Sequence, residues 1–170
     1  MTQRPLALRE PAHRVSVRAP AYWRVQAAVG AAVAWALAVI AAWVTVATSQ
    51  GWWTPLLWIG AALLVLAPIA ALTVAPAIRF RVHRWQVTEI AVHVRYGWLT
   101  RTDEIVPLSR VQTVDSTVGP LMRAFGLRTV TVQTASSHGT VAIACLDDEV
   151  AQQVVAHLMA ITSASAGDAT

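Results

Sequence analysis

The chain has 170 residues, 56% of them apolar, with a net charge of +4 and a single cysteine, Cys145. One cysteine excludes an internal disulfide framework and offers no metal-ligand spacing. The charge excludes a nucleic-acid-binding body: residues 1–24 hold five arginines against Glu10, whereas residues 79–170 balance eight arginines with eight carboxylates, and a nucleic-acid-binding domain concentrates positive charge on itself.

Residues 1–20 contain three prolines and scattered arginines without apolar periodicity. That pattern predicts a mobile, basic juxtamembrane tail over residues 1–24. Its arginines can set topology alone, or meet anionic lipid at ~1 kcal/mol each.

Residues 25–47 and 53–77 carry no charged side chain and no histidine. At ~1.5 Å per residue, about 23 helical residues reach roughly 34 Å, enough for a hydrocarbon core of roughly 30 Å. In lipid the backbone must satisfy its own polar groups, so both runs are predicted to be helices. The connector 48–52 makes them a transmembrane hairpin over residues 25–78. The first run exceeds the apolar core of a cleaved signal peptide and a second follows at once, which predicts an anchor. Arg18 and Arg24 precede the hairpin, Arg79, Arg81 and Arg84 follow it, and the connector has no arginine. The positive-inside rule then places both termini in the cytoplasm, in the plasma (inner) membrane. Tyr22 and Trp23 suit one interface, Trp52 and Trp53 the other. Gly51 is expected to stop the first helix, and Thr54-Pro55 to cap and start the second. Gly30, Ala34, Ala38 and Ala42 recur every four residues and permit close packing of the two spans, or dimerisation. Transport needs ionisable groups at depth; without them the hairpin reads as an anchor.

Beyond residue 78 the period changes from helical to two. Residues 80–87 predict a strand with a bulge at His83-Arg84, followed by a turn at Thr88-Glu89. Ile90, Val92, Val94, Tyr96 and Trp98 alternate with Ala91, His93, Arg95 and Gly97, as in a half-buried strand. Gly97 permits the next bend, and residues 101–108 predict a strand whose Pro107 marks an edge or end. A strand over 111–118, a break at Gly119-Pro120, one helical turn over 121–125 closed by Gly126, and strands over 127–134 and 140–145 complete the β-rich part. Asp147 is placed as an N-cap, with Asp148 and Glu149 in the first turn. Val150, Val154, Leu158 and Ile161 form an apolar stripe. Residues 163–170 are expected to be a disordered tail.

The motifs Tyr96-Gly-Trp-Leu-Thr-Arg101, Val106-Pro-Leu-Ser-Arg-Val-Gln112 and Gly119-Pro-Leu-Met-Arg-Ala-Phe-Gly-Leu127, with the strand 130–134, resemble the YdbS-type bacterial PH domain family of small membrane proteins. The resemblance covers about residues 22–161. It implies an α+β membrane protein: a two-helix hairpin followed, over 79–162, by a pleckstrin-homology-like bent antiparallel sheet or barrel capped by a C-terminal helix. It implies no catalytic residue and no established ligand, and the basic loop of phosphoinositide-binding relatives is not evident.

Other constellations are weak. Ser136 and His138 are adjacent in a turn, where polar residues are expected anyway, and adjacency does not make a triad; a hydrolase using them is the least supported reading. His83, His93, His138, His157 and Cys145 lack close ligand spacing, so neither metal nor cofactor is expected. Two binding readings remain: a non-enzymatic protein-interaction or assembly module, with a protein partner or a second copy, or a module for anionic lipid headgroups. The candidate contact residues are Arg79, Arg81, Arg84, Arg95, Trp98 and Arg101. Gly97, Pro107, Gly119, Pro120 and Gly126 are assigned to structure.

Overall fold

Helix α1 (Ala19–Thr48) and helix α2 (Thr54–Val82) are each long and apolar enough to cross a membrane. The structure, a computed structural model, describes residues 10–48, 51–97, 100–134 and 139–167. It divides into a hairpin unit, Pro20–Ile78, and a β unit built from the residues on both sides of it.

In the hairpin, large apolar side chains such as Trp43 and Val39 lie exposed, while Ala31, Ala38 and Thr45 are buried. The seam therefore repeats every seven residues, the spacing of a left-handed helix pair. The four-residue stripe of the sequence is only partly used: Ala38 is in the seam, but Gly30 is exposed. The Trp35 indole N–H donates to the Val65 carbonyl at 3.3 Å, a bond between the two helices. Thr45 returns its hydroxyl to the Ala41 carbonyl at 2.7 Å, which satisfies its polar group inside the span. Thr54 begins α2 itself and donates its hydroxyl to the Gly51 carbonyl at 2.7 Å.

The second helix outlasts its apolar run. The alternation predicted a strand from residue 80, but α2 continues through Val82 and carries Arg79 and Arg81 in its last turn. Cations there meet the negative end of the helix dipole, and a short apolar alternation does not outweigh an established helix.

The β unit contains two antiparallel sheets. The first orders β1 (His13–Arg14), β2 (Arg84–Val87), β3 (Ala91–Tyr96) and β4 (Thr102–Pro107) side by side. The second orders β5 (Val111–Thr117), β6 (Leu127–Thr134) and β7 (Thr140–Asp147). Pro107 is the last residue of an edge strand, where a missing N–H costs no ladder bond. Gly97 has φ +105°, and a Cβ there would lie 1.9 Å from the Thr100 carbonyl oxygen, so the bend after β3 requires glycine. Pro120 opens the short helix α3 (Pro120–Ala124) from an extended Gly119, and Gly126 ends that corner at φ +65°.

Helix α4 (Asp148–Gly167) packs across β5, β6 and β7. Its buried face is Ala151, Val154 and Leu158, which meets a core of Leu127, Val130, Val132 and Ile143. The helix reaches Gly167, so the disordered tail expected from residue 163 is corrected as far as that residue: Ala164 and Ala166 favour continuation.

The largest correction concerns the N-terminal tail. Instead of a mobile segment, residues 10–19 pack against the β unit. His13 and Arg14 pair with Trp85 and Arg84 as an edge strand, and Val15, Ser16 and Ala19 are buried. The Ser16 N–H donates to the Cys145 carbonyl at 2.9 Å, and its hydroxyl to Asp147 Oδ1 at 2.7 Å. The Trp85 indole donates to the Arg14 carbonyl at 3.1 Å. No alternation announces this segment, because only two of its residues join a ladder. Individual hydrogen bonds and the buried Pro11, Val15 and Ala19 hold the rest.

Candidate functional site

The register of β3 on β4 sorts the charged residues of the first sheet onto its two faces. His93 stands opposite Ile105, Val94 opposite Glu104, Arg95 opposite Asp103 and Tyr96 opposite Thr102. Cross-strand partners share a face, so Arg95, Asp103 and His93 gather on one side, while Glu104 shares the face of the buried Val94 and Tyr96.

On the first face, Arg95 is 5% exposed and paired with two carboxylates. Its Nε donates to Asp103 Oδ1 at 2.6 Å and its Nη1 to Glu10 Oε1 at 3.0 Å. His93 Nε2 lies 2.9 Å from the same Asp103 oxygen, and Arg84 Nη1 lies 3.7 Å from Glu10 Oε2. Burial by itself would raise the Asp103 pKa, but hydrogen bonds from Arg95 and His93 outweigh it and hold the carboxyl below its ordinary value. The expectation that Arg95 faces lipid or a partner is thereby corrected: its charge is spent inside the fold, where a buried ion needs its partners.

On the second face, the Tyr96 hydroxyl donates to Glu104 Oε1 at 2.6 Å, which raises the tyrosine pKa above its usual range. Next to this pair lies a cleft of about 290 Å³, lined among others by His83, Arg84, Tyr96 and Glu104 on one side and by Thr140 and Ala142 of β7 on the other. The His83 ring sits at the C-terminal end of α2, with Nδ1 3.0 Å from the Arg79 carbonyl. Burial lowers its pKa; the bond to that carbonyl opposes this in part, and the Arg79 charge adds to it.

The remaining candidates are scattered. Arg79, Arg81 and Arg101 are exposed and Arg84 is half-buried. Arg14, also exposed, lies with its guanidinium carbon 6.0 Å from the Phe80 ring centre, beside Arg79 and Arg81 in sequence. Arg128 joins β6 to α4 through Asp148, Nε to Oδ1 at 2.5 Å. Trp98, Ser136 and His138 lie outside the described residues. Among the described residues, no group of three or more His, Cys, Asp or Glu side chains could hold a metal ion. Tyr96, Glu104 and His83 were missed by sequence reasoning as a group. The signal was available: a tight bend at Gly97 sets the hairpin register, and the register puts Glu104 on the face of Val94.

Comparison with known proteins fits this geometry. The sequence profile of the bacterial PH domain family matches residues 15–162, a range that takes in the N-terminal segment from Val15 as well as the hairpin and the β unit. The chain is 28% identical over 128 residues to the UPF0699 transmembrane protein YdbS of Bacillus subtilis (strain 168), covering 75% of this chain and 79% of that protein. No solved structure matches it. With two transmembrane helices preceding antiparallel sheets and a closing C-terminal helix, and a profile match over most of its length, the chain belongs to the bacterial PH domain family.

Proposed function

We propose that the β unit is a non-enzymatic protein-docking module, held at the cytoplasmic face of the inner membrane by the hairpin. The observation that carries this reading is the edge of β7 along the cleft, which no described residue pairs from Thr140 to Ala144. The register puts Arg84 opposite Arg95 on the far face of the first sheet, where both are paired with Glu10 and Arg95 also with Asp103. A headgroup phosphate at the cleft would find those two guanidinium groups turned away and already paired, whereas a polypeptide can use the strand edge there. Two further features support the membrane placement. The segments on either side of the hairpin meet in one sheet, so both helices leave the bilayer on the same side. Arginines crowd those exits and are missing from the connector, as the positive-inside rule requires of a cytoplasmic face.

The test is a photo-crosslinking amino acid placed in the full chain at Ala142, in the cleft, or at Ser116, on the opposite edge of the second sheet. Protein adducts from position 142 and none from position 116 are expected. Adducts at position 142 that contain only lipid refute the reading.

A second reading has its own observation: Arg79 and Arg81 end α2 exposed, with Arg14 nearby over Phe80. These arginines contact anionic headgroups at about 1 kcal/mol each. Full chains in nanodiscs would show it as an enrichment of anionic lipid around the wild type that is lost on Arg79→Gln/Arg81→Gln.

A further inference from the structure

The two walls of the cleft are incomplete in different ways. On one wall, Glu104 accepts the Tyr96 hydroxyl at 2.6 Å but has no cation within ion-pair distance among the described residues. Arg84 and Arg95 lie on the opposite face of the sheet and are committed to Glu10 and Asp103. A half-buried carboxylate in that position is completed by a positive charge from outside. The other wall is a strand edge. β7 pairs with β6 on one side. On its other side, the Ser16 N–H donates to the Cys145 carbonyl. From Thr140 to Ala144 that edge borders the cleft and, among the described residues, has no strand paired to it.

We infer that the cleft receives an extended segment of a partner protein, which adds a strand along β7 and sets a lysine or arginine side chain against Glu104. This rests on the protein-docking reading and narrows it to a class of partner. Other occupants meet only one wall: a small ammonium ion would neutralise Glu104 but leave the strand edge bare, and an acidic or phosphorylated segment would face a carboxylate. At about 290 Å³ the cleft sits at the lower bound of ligand pockets, roughly 300–1,000 Å³. It therefore suits one long side chain and its backbone better than a drug-sized molecule. Strand addition supplies affinity through main-chain bonds, and the pocket supplies specificity.

The test uses the full chain in nanodiscs of neutral phosphatidylcholine and labelled, end-blocked seven-residue peptides of alternating Thr and Val with a central Lys, Gln or Glu. Fluorescence anisotropy should show the Lys peptide binding about tenfold tighter than the Gln peptide, with the Glu peptide weaker still. Glu104→Gln, which keeps an acceptor for Tyr96, should erase the Lys preference, and Asp115→Asn on β5 should leave it intact. Methylating alternate backbone nitrogens of the Lys peptide should abolish binding. Equal binding of all three peptides, no binding of any, or a Lys preference that survives Glu104→Gln overturns the inference. Should that happen while Ala142 still crosslinks to a protein, the docking reading stands and only the cationic segment falls; if the crosslink fails too, both fall.

Discussion

The hairpin and the β unit bury opposite kinds of residue. In the β unit the side chains that vanish from the surface are large: Leu127, Val130, Val132 and Leu158 are all 0% exposed. In the hairpin, Trp23 at its start apart, the hidden apolar residues of the first span are small, Ala31 at 2% and Ala38 at 5%, while Trp43 stands 72% exposed. Water drives large apolar groups together. Lipid does not, so helices there associate through whatever lets their backbones approach. The inversion identifies the solvent of each part, and it explains why a high apolar fraction says nothing about a core until the chain is divided.

Four experiments can break or sharpen that contrast. The single cysteine, Cys145, is 1% exposed within the β unit, so its thiol labelling in urea reports unfolding of that unit in the full chain. Arg95→Ala removes the buried cation between Glu10 and Asp103 and should cost about 3 kcal/mol or more by this readout; a loss under about 1 kcal/mol would mean the network behaves as a surface one. Val39→Asp, on the exposed side of α1, should raise the cost of insertion by roughly 2.5–3.5 kcal/mol in a glycosylation-based assay. Unchanged insertion would place that face away from lipid. Ser16→Ala, which deletes the hydroxyl donated to Asp147, should cost about 1 kcal/mol, and equal labelling curves for mutant and wild type would show the N-terminal segment to be incidental.

The smallest effect is in pH. His83 is held below its ordinary value of 6.5, chiefly by burial. The folded chain therefore binds fewer protons than the unfolded chain between the two pKa values. Its stability is full above about 6.5 and falls as pH drops towards the folded value. His83→Asn should flatten this decline. Asp103 acts in a separate, more acidic window: its contribution is present above its ordinary 3.8 and is lost as pH falls through the lowered folded value. A wild-type profile that does not change between pH 7 and 5 would contradict the His83 assignment (its ordinary value is 6.5).

Much of the architecture was legible because it follows from periodicity. The uncharged runs, the alternation around Val92 and Val94, the Gly119-Pro120 break and the stripe through Val154 and Leu158 each correspond to an observed element. What escaped was non-local. Residues 10–19 show no pattern of their own, since their order comes from Trp85, Cys145 and Asp147, more than seventy positions away. Arg95 looked like a surface cation because alternation places it opposite Val94; that the far face is itself covered, by Glu10 from the other end of the chain, is not encoded in the strand. The boundary of α2 was misplaced because Phe80, Arg81 and Val82 satisfy a two-residue period for too few positions to settle the matter. The cleft needed a strand register before Tyr96 and Glu104 could be seen as neighbours.

The edge strand at His13–Arg14 also bears on biogenesis. It leaves the ribosome before either span, but its partners Arg84 and Trp85 are translated only after both, and Cys145 later still. The sheet can close only once the hairpin has returned the chain to the compartment it started from. A molecule that threaded one helix and not the other would keep the two pieces on opposite sides of the bilayer. The pairing of His13–Arg14 with Arg84–Trp85 thus requires the segments on either side of the hairpin to share one compartment.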